Sequence, residues 1–209
     1  MAKNKSSRNW IHQHINDPYV QLARAEGMRS RAAYKLKQIN DKDKLLKPGM
    51  VVVDLGATPG GWSQVAAQTV GPGGKVIAID LLEMEPLNGV TFIRDDFATD
   101  QGLAAIEGQL AGLQADLVLS DMAPNISGIA LADQMRLIGL VELALDFAAK
   151  HLKPQGIFLV KVFHGTGFDG FVKAMRGVFK SMETRKPEAS RRGSKEVYLL
   201  GRGLKQPGK

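Results

Sequence analysis

With 209 residues, 44% of them hydrophobic, the chain can bury one sizeable core and requires no second domain. The absence of cysteine excludes disulfides, thiolate metal sites and a cysteine nucleophile, and with the last goes covalent C5 methylation of pyrimidines. The net charge of +7 is segregated: residues 1–48 carry 11 Lys and Arg against 4 Asp and Glu, residues 49–170 carry 6 against 14, and residues 171–209 carry 11 against 3, a layout that suits a neutral or cationic cofactor in the middle and a nucleic acid held by the ends.

Residues 1–48 are expected as a basic N-terminal extension with helices, part of the same domain as residues 49–209. Residues 1–9 are polar and basic, and disorder is expected there. They lead into no apolar signal core, and no run of the chain is apolar enough to span a bilayer, so a cytoplasmic location is expected. Asp17-Pro18 supplies an N-cap and N1 proline for a helix ending near Gly27, and Ser30 to Ile39 gives a second, with Ala32, Leu36 and Ile39 as its apolar stripe. Strand and helix signals then alternate. Strands are predicted from Val51, over Lys75–Asp80, Val90–Asp96, Ala115–Asp121 and Gly156–Phe163, then over Ser181–Lys186 and Glu196–Gly201. Helices fall at Ser63–Val70, Leu103–Ala111, Asp133–His151 and Phe168–Phe179, with Gly156 closing the exit turn of the third. The pattern predicts an α/β fold with an open, mostly parallel sheet covered by helices on both faces.

The chemistry centres on Asp54-Leu55-Gly56-Ala57-Thr58-Pro59-Gly60-Gly61-Trp62-Ser63, a strand end, a Gly/Pro turn and a helix opening. Such a loop lets backbone N–H groups approach a ligand at the positive end of a helix. A phosphate-binding P-loop would need Lys-Ser/Thr where Trp62-Ser63 stand. A dinucleotide loop would need a glycine two residues after Gly56, where Thr58 stands. A cofactor with a ribose and an amino-acid part but no phosphate remains, and S-adenosylmethionine meets that description. Asp54, Asp80, Asp96 and Asp121 stand at four successive strand ends, where open α/β sheets bind ligands. Asp80 suits ribose hydroxyls, and Asp95 or Asp96 an exocyclic adenine amine. Lys161 interrupts an apolar strand in which an unpaired ammonium is costly, so it either snorkels from the strand end or faces the site, where it could act as a general base with Asp121 as its natural partner. Ser120-Asp121-Met122-Ala123-Pro124-Asn125 lacks the Pro-Pro-aromatic signature of amino-group methylases and so favours a hydroxyl acceptor.

These two stretches, with Leu159-Val160-Lys161-Val162-Phe163 and Ser194-Lys195-Glu196-Val197-Tyr198, resemble in order and spacing the FtsJ family of ribosomal RNA ribose 2′-O-methyltransferases, from about Trp10 to Leu200. The resemblance implies a Rossmann-like S-adenosylmethionine-dependent methyltransferase fold, a seven-stranded sheet with an antiparallel last strand. It implies a catalytic tetrad at Lys35, Asp121, Lys161 and Glu196, with Lys161 accepting the proton. It further implies cofactor contacts at Gly60, Trp62, Asp80, Asp96 and Asp121, and a uridine in the A-loop of 23S rRNA of the large ribosomal subunit as substrate. A monomer without membrane association is expected. Thr58 departs from the family's usual Ala in A-A-P-G-G-W.

Overall fold

The computed structural model describes residues 16–123, 130–191 and 193–206. In chain order the elements are α1 (Pro18–Ala25), α2 (Ala32–Asp43), β1 (Val51–Leu55), α3 (Gly61–Val70), β2 (Lys75–Asp80), β3 (Val90–Arg94), α4 (Asp100–Leu110), β4 (Ala115–Ser120), α5 (Ala130–His151), β5 (Leu152–Phe163), α6 (Phe168–Val178), β6 (Phe179–Arg185) and β7 (Glu196–Leu204). The strands form one seven-stranded sheet in the order β3-β2-β1-β4-β5-β7-β6. β7 runs antiparallel to both of its neighbours, while β1 to β5 pair in parallel. The expected architecture is therefore present, down to the reversed last strand. The strand order changes direction between β1 and β4, which opens a crevice at their carboxyl ends.

Strand residues alternate between two cores, as a period of two dictates. Val53, Val118, Phe158, Val160 and Leu199 pack beneath α4, α5 and α6. Val52, Leu117, Leu119, Leu159, Tyr198 and Leu200 pack beneath α2 and α3. Ala33, Leu36 and Ile39 of α2 belong to the second core, so this helix packs directly on the sheet.

Helix boundaries move where caps override the apolar pattern. Asp17 caps α1 as expected, its Oδ1 accepting from the Tyr19 N–H at 3.0 Å. α2 runs past Ile39 to Asp43 and ends on Lys44 in the left-handed conformation. α4 starts at Asp100, three residues before the predicted Leu103, because the Thr99 hydroxyl accepts from Gly102 N–H. The expectation that Gly156 closes an exit turn is not met. α5 passes directly into β5 at Leu152, and Gly156 lies inside the strand, where a Cβ would come 2.8 Å from the Leu152 side chain. The β4–β5 register shifts between Ala115 and Leu117, which absorbs this irregularity. The readings made for residues 1–9, Pro124 and Asn125 lie outside the described residues.

Candidate active site

The two-residue period that builds the second core also aims the polar residues at its upper rim. Asp121 follows Leu117 and Leu119, Lys161 follows Ile157 and Leu159, and Glu196 precedes Tyr198 and Leu200, so all three continue the face that packs under α2. Because β7 is antiparallel, its first residue lies beside the end of β5: Glu196 is paired with Phe163, and Tyr198 with Lys161. Residues 35 positions apart in sequence are thereby neighbours. Lys35 reaches the same rim from α2.

The side chains meet as two ion pairs. Lys161 Nζ lies 2.9 Å from Asp121 Oδ1 and also donates to the Asp121 backbone carbonyl at 2.6 Å. Lys35 Nζ lies 2.7 Å from Glu196 Oε1. Lys161 is only 8% exposed, so its charge is affordable because Asp121 is beside it. Burial raises the Glu196 carboxyl, but Lys35 through hydrogen bond and charge, with Ser190 and Lys161, outweighs it and holds the pKa below the ordinary value. The Tyr198 hydroxyl donates to Asp121 Oδ1 at 3.4 Å, and Lys35 Nζ sits 5.8 Å from the centre of the Tyr198 ring. Burial, then the Asp121 and Glu196 charges, raise the Tyr198 phenol well above its usual value. At the pH of a cell it is a hydrogen-bond donor.

Asp121 also faces a cavity of about 370 Å³ at the carboxyl ends of β1 to β4, lined by Gly56, Thr58, Asp80, Asp95, Asp96, Met122 and the apolar Ile79, Phe97 and Leu140. No lysine or arginine lines it among the described residues. A phosphate-bearing cofactor would meet only carboxylates there, whereas a sulfonium with an α-amino group and a ribose would meet complementary charge. The chemistry of the donor set therefore fits S-adenosylmethionine. Asp80 is pre-set for such a role: its two oxygens accept from Thr58 N–H (2.9 Å) and Leu82 N–H (2.8 Å), which fixes the carboxylate between the glycine loop and the β2 exit. The Thr58 hydroxyl donates to Leu82 O at 3.0 Å, so this departure from the family pattern adds a tie across the rim. Gly56 has φ +77°, and a Cβ on it would come 2.6 Å from the Met122 side chain. Only glycine lets the loop pass the segment after β4.

Asp95 and Asp96 separate by their bonds. Asp95 uses both oxygens within the chain, on Asp96 N–H and Gln101 Nε2, whereas Asp96 accepts through Oδ1 alone, from Ala98 N–H. Gly60 and Trp62 are not among the residues lining the cavity. The Trp62 ring is 2% exposed, donates through Nε1 to Ala32 O at 2.8 Å and packs 5.6 Å from the Tyr198 ring. What these two residues can offer a ligand is main-chain polarity at the opening of α3. Asp54 does not face the cavity; it is fully buried and accepts from the Ser63 hydroxyl at 2.6 Å. Burial, opposed by the Ser63 bond and reinforced by the Asp121 and Asp80 charges, raises its pKa to about 7. Sequence reasoning gave no role to Tyr198 or Ser63. Tyr198 could have been found from its place two residues after Glu196 on a strand.

A switch-point cavity lined by four carboxylates, next to a paired Lys/Asp and Lys/Glu rim, is the arrangement of a Rossmann-like methyltransferase. The chain belongs to the FtsJ-like methyltransferase family, whose sequence pattern matches residues 28–204. It is 61% identical over 205 residues to ribosomal RNA large subunit methyltransferase E of Azoarcus sp. (strain BH72), covering 98% of this chain and 100% of that one. A ribosomal RNA methyltransferase of Plasmodium falciparum superposes with a TM-score of 0.74 at 27% identity, over 84% of this chain and 98% of that one. An S-adenosylmethionine-dependent O-methyltransferase of Thermotoga maritima shares the fold, with a TM-score of 0.56 at 14% identity over 86% of this chain and 67% of that one.

Proposed function

We propose that the chain methylates a ribose 2′-hydroxyl of 23S rRNA, at a uridine of the A-loop, using S-adenosylmethionine and working as a monomer in the cytoplasm. The observation that carries this reading is the Lys161–Asp121 pair standing at the mouth of the cofactor cavity, with Asp121 common to both. Asp80 and Asp96 would hold the ribose and the adenine, Asp121 the positively charged part, and the N–H groups around Gly60 and Trp62 the amino-acid end. When bound, S-adenosylmethionine supplies an electrophilic methyl group on sulfur.

The rest is done by the protein. A 2′-hydroxyl is a weak acid, so its proton must leave as the oxygen closes on the methyl carbon. Lys161, once its ammonium has released a proton to solvent, would accept that proton on Nζ as the methyl group passes to the oxygen. Asp121 receives the resulting ammonium at 2.9 Å, which returns the site to the ion pair seen here. Lys35, neutralised by Glu196, orients the ribose from the α2 side without placing a second uncompensated charge beside Lys161. The test exploits arginine, which keeps the charge but accepts no proton at usable pH. Lys161→Arg and Lys161→Ala should both lose roughly 10²–10⁴-fold in single-turnover methyl transfer while retaining cofactor binding. A Lys161→Arg enzyme close to wild type would make Lys161 a clamp rather than a base.

A further inference from the structure

The positive charge of residues 171–209 does not all gather at the active site. Around the 187–195 loop it stands beside the tetrad, but Lys180 and Arg202 lie at the opposite edge of the sheet, where the parallel strands begin. There they join Lys44, Lys47 and Lys153 around a hollow of about 520 Å³ floored by Asp116 of β4 and the Gln155–Ile157 stretch of β5. Five cationic side chains surround a single carboxylate, Asp116. That carboxylate is already engaged, accepting from Val51 N–H at 2.8 Å and pairing with Lys153 at 2.7 Å. Arg202 is held in place by donating to the Asp43 carbonyl at 2.8 Å. Lys44, Lys47 and Lys180 are exposed and enter no ion pair among the described residues.

Arg202 also stands 3.8 Å from the Asp43 carboxylate, so the charges left without a counterion are those of Lys44, Lys47 and Lys180; collected together they raise the energy of the free protein, and a polyanion relieves that repulsion. We infer that this basin binds the phosphodiester backbone of a second segment of the RNA substrate, remote from the nucleotide at the tetrad. The inference rests on the RNA reading above. A protein partner would look for aromatic or other large apolar anchors, and the lining offers none beyond Met50 and Ile157. β4 alone, at six residues, separates the two edges by roughly 20 Å. A short stem-loop seated at the tetrad does not reach around that distance, whereas a large folded RNA does. The basin thus favours a large structured substrate over an isolated stem.

The test compares full-length protein with the triple variant Lys44→Gln, Lys47→Gln, Lys180→Gln, and with Lys→Arg at the same positions as a charge-preserving control. Thermal melting and S-adenosylmethionine titration verify that each is folded. Against naked 23S rRNA, the Gln variant should lose tenfold or more in affinity, with the log K against log [salt] slope falling by about two to three, near one per lost phosphate contact. Binding and methylation of a short A-loop stem should stay within twofold, and the Arg variant should match wild type on both RNAs. An unchanged affinity and slope for 23S rRNA overturns the inference, as does an equal loss on the short stem. A loss confined to protein-containing subunits assigns the basin to a protein partner and also overturns it. Failure of the wild type to methylate naked 23S rRNA, the short stem and unmethylated large subunits alike would instead sink the functional reading, so the two failures remain distinct.

Discussion

Asp80 shows how much one carboxylate can organise. It is the last residue of β2, and its bonds to Thr58 N–H and Leu82 N–H are in place before any ligand arrives. Such preorganisation lowers the ordering cost of binding. Asp80→Ala should weaken S-adenosylmethionine by ~1.5–3 kcal/mol, the scale of charged hydrogen bonds, read by calorimetric titration. Unaltered affinity in a folded variant would remove Asp80 from the ribose site. The choice between Asp95 and Asp96 could not be made from the residues alone. Both are acids at one strand end, and only the bonds of Asp95 to Gln101 and to the Asp96 N–H distinguish them.

At the scale of elements, α2 and α3 form a unit bridged by Trp62, whose Nε1 bonds Ala32 O while its ring lies against Tyr198 of β7. If α3 serves the cofactor through its backbone, the indole should matter for packing and little for binding. Trp62→Phe keeps a ring and the main-chain N–H but removes the indole N–H, so it should cost about 1–3 kcal/mol in denaturant melts, from a lost buried hydrogen bond and a smaller ring, while cofactor affinity stays within about twofold. A tenfold affinity loss without destabilisation would place the indole itself at the ligand. The alternation of elements was legible because each strand from β1 to β5 is a dense apolar run, and the antiparallel β7 came from the family resemblance. The β5 start was misread because glycine after a helix ordinarily signals an exit, whereas here Gly156 makes room for Leu152. Lys35 was illegible on its own: a lysine on a basic helix is ordinarily solvated, and only contact with Glu196 from the far end of the chain makes it part of the site.

For the whole molecule, sequence charge located two basic ends but not their division between opposite edges of the sheet, which is decided by the path of β6 and β7. Stability should carry the mark of the buried Asp54. Its folded pKa of about 7 lies above the ordinary carboxylate value, so the folded state binds a proton that the unfolded chain has released. This contribution is fully present below about pH 4 and is lost as pH rises through about 7. Glu196, held low, acts in the opposite sense and loses its contribution only as pH falls below the ordinary glutamate range. Asp54→Asn should therefore gain on wild type as pH rises from about 4 to 7, by about 1.4 kcal/mol per unit. Urea melts at pH 5, 6, 7 and 8 measure the difference, and parallel stability curves would show that Asp54 is not the linked group.

The reversed direction of β7 has a consequence for the order in which the protein comes into being. The lining of the cofactor cavity is drawn from residues 56–140, whereas Glu196 arrives only with the strand that ends at Leu204. During synthesis every residue of the cavity lining thus precedes, by more than 50 positions, the carboxylate that completes the rim. A polypeptide cut short before residue 196 leaves Lys35 without its carboxylate and β5 with a bare edge. The rim is therefore closed by the last strand to be made, and only then does each lysine of the two ion pairs have its carboxylate.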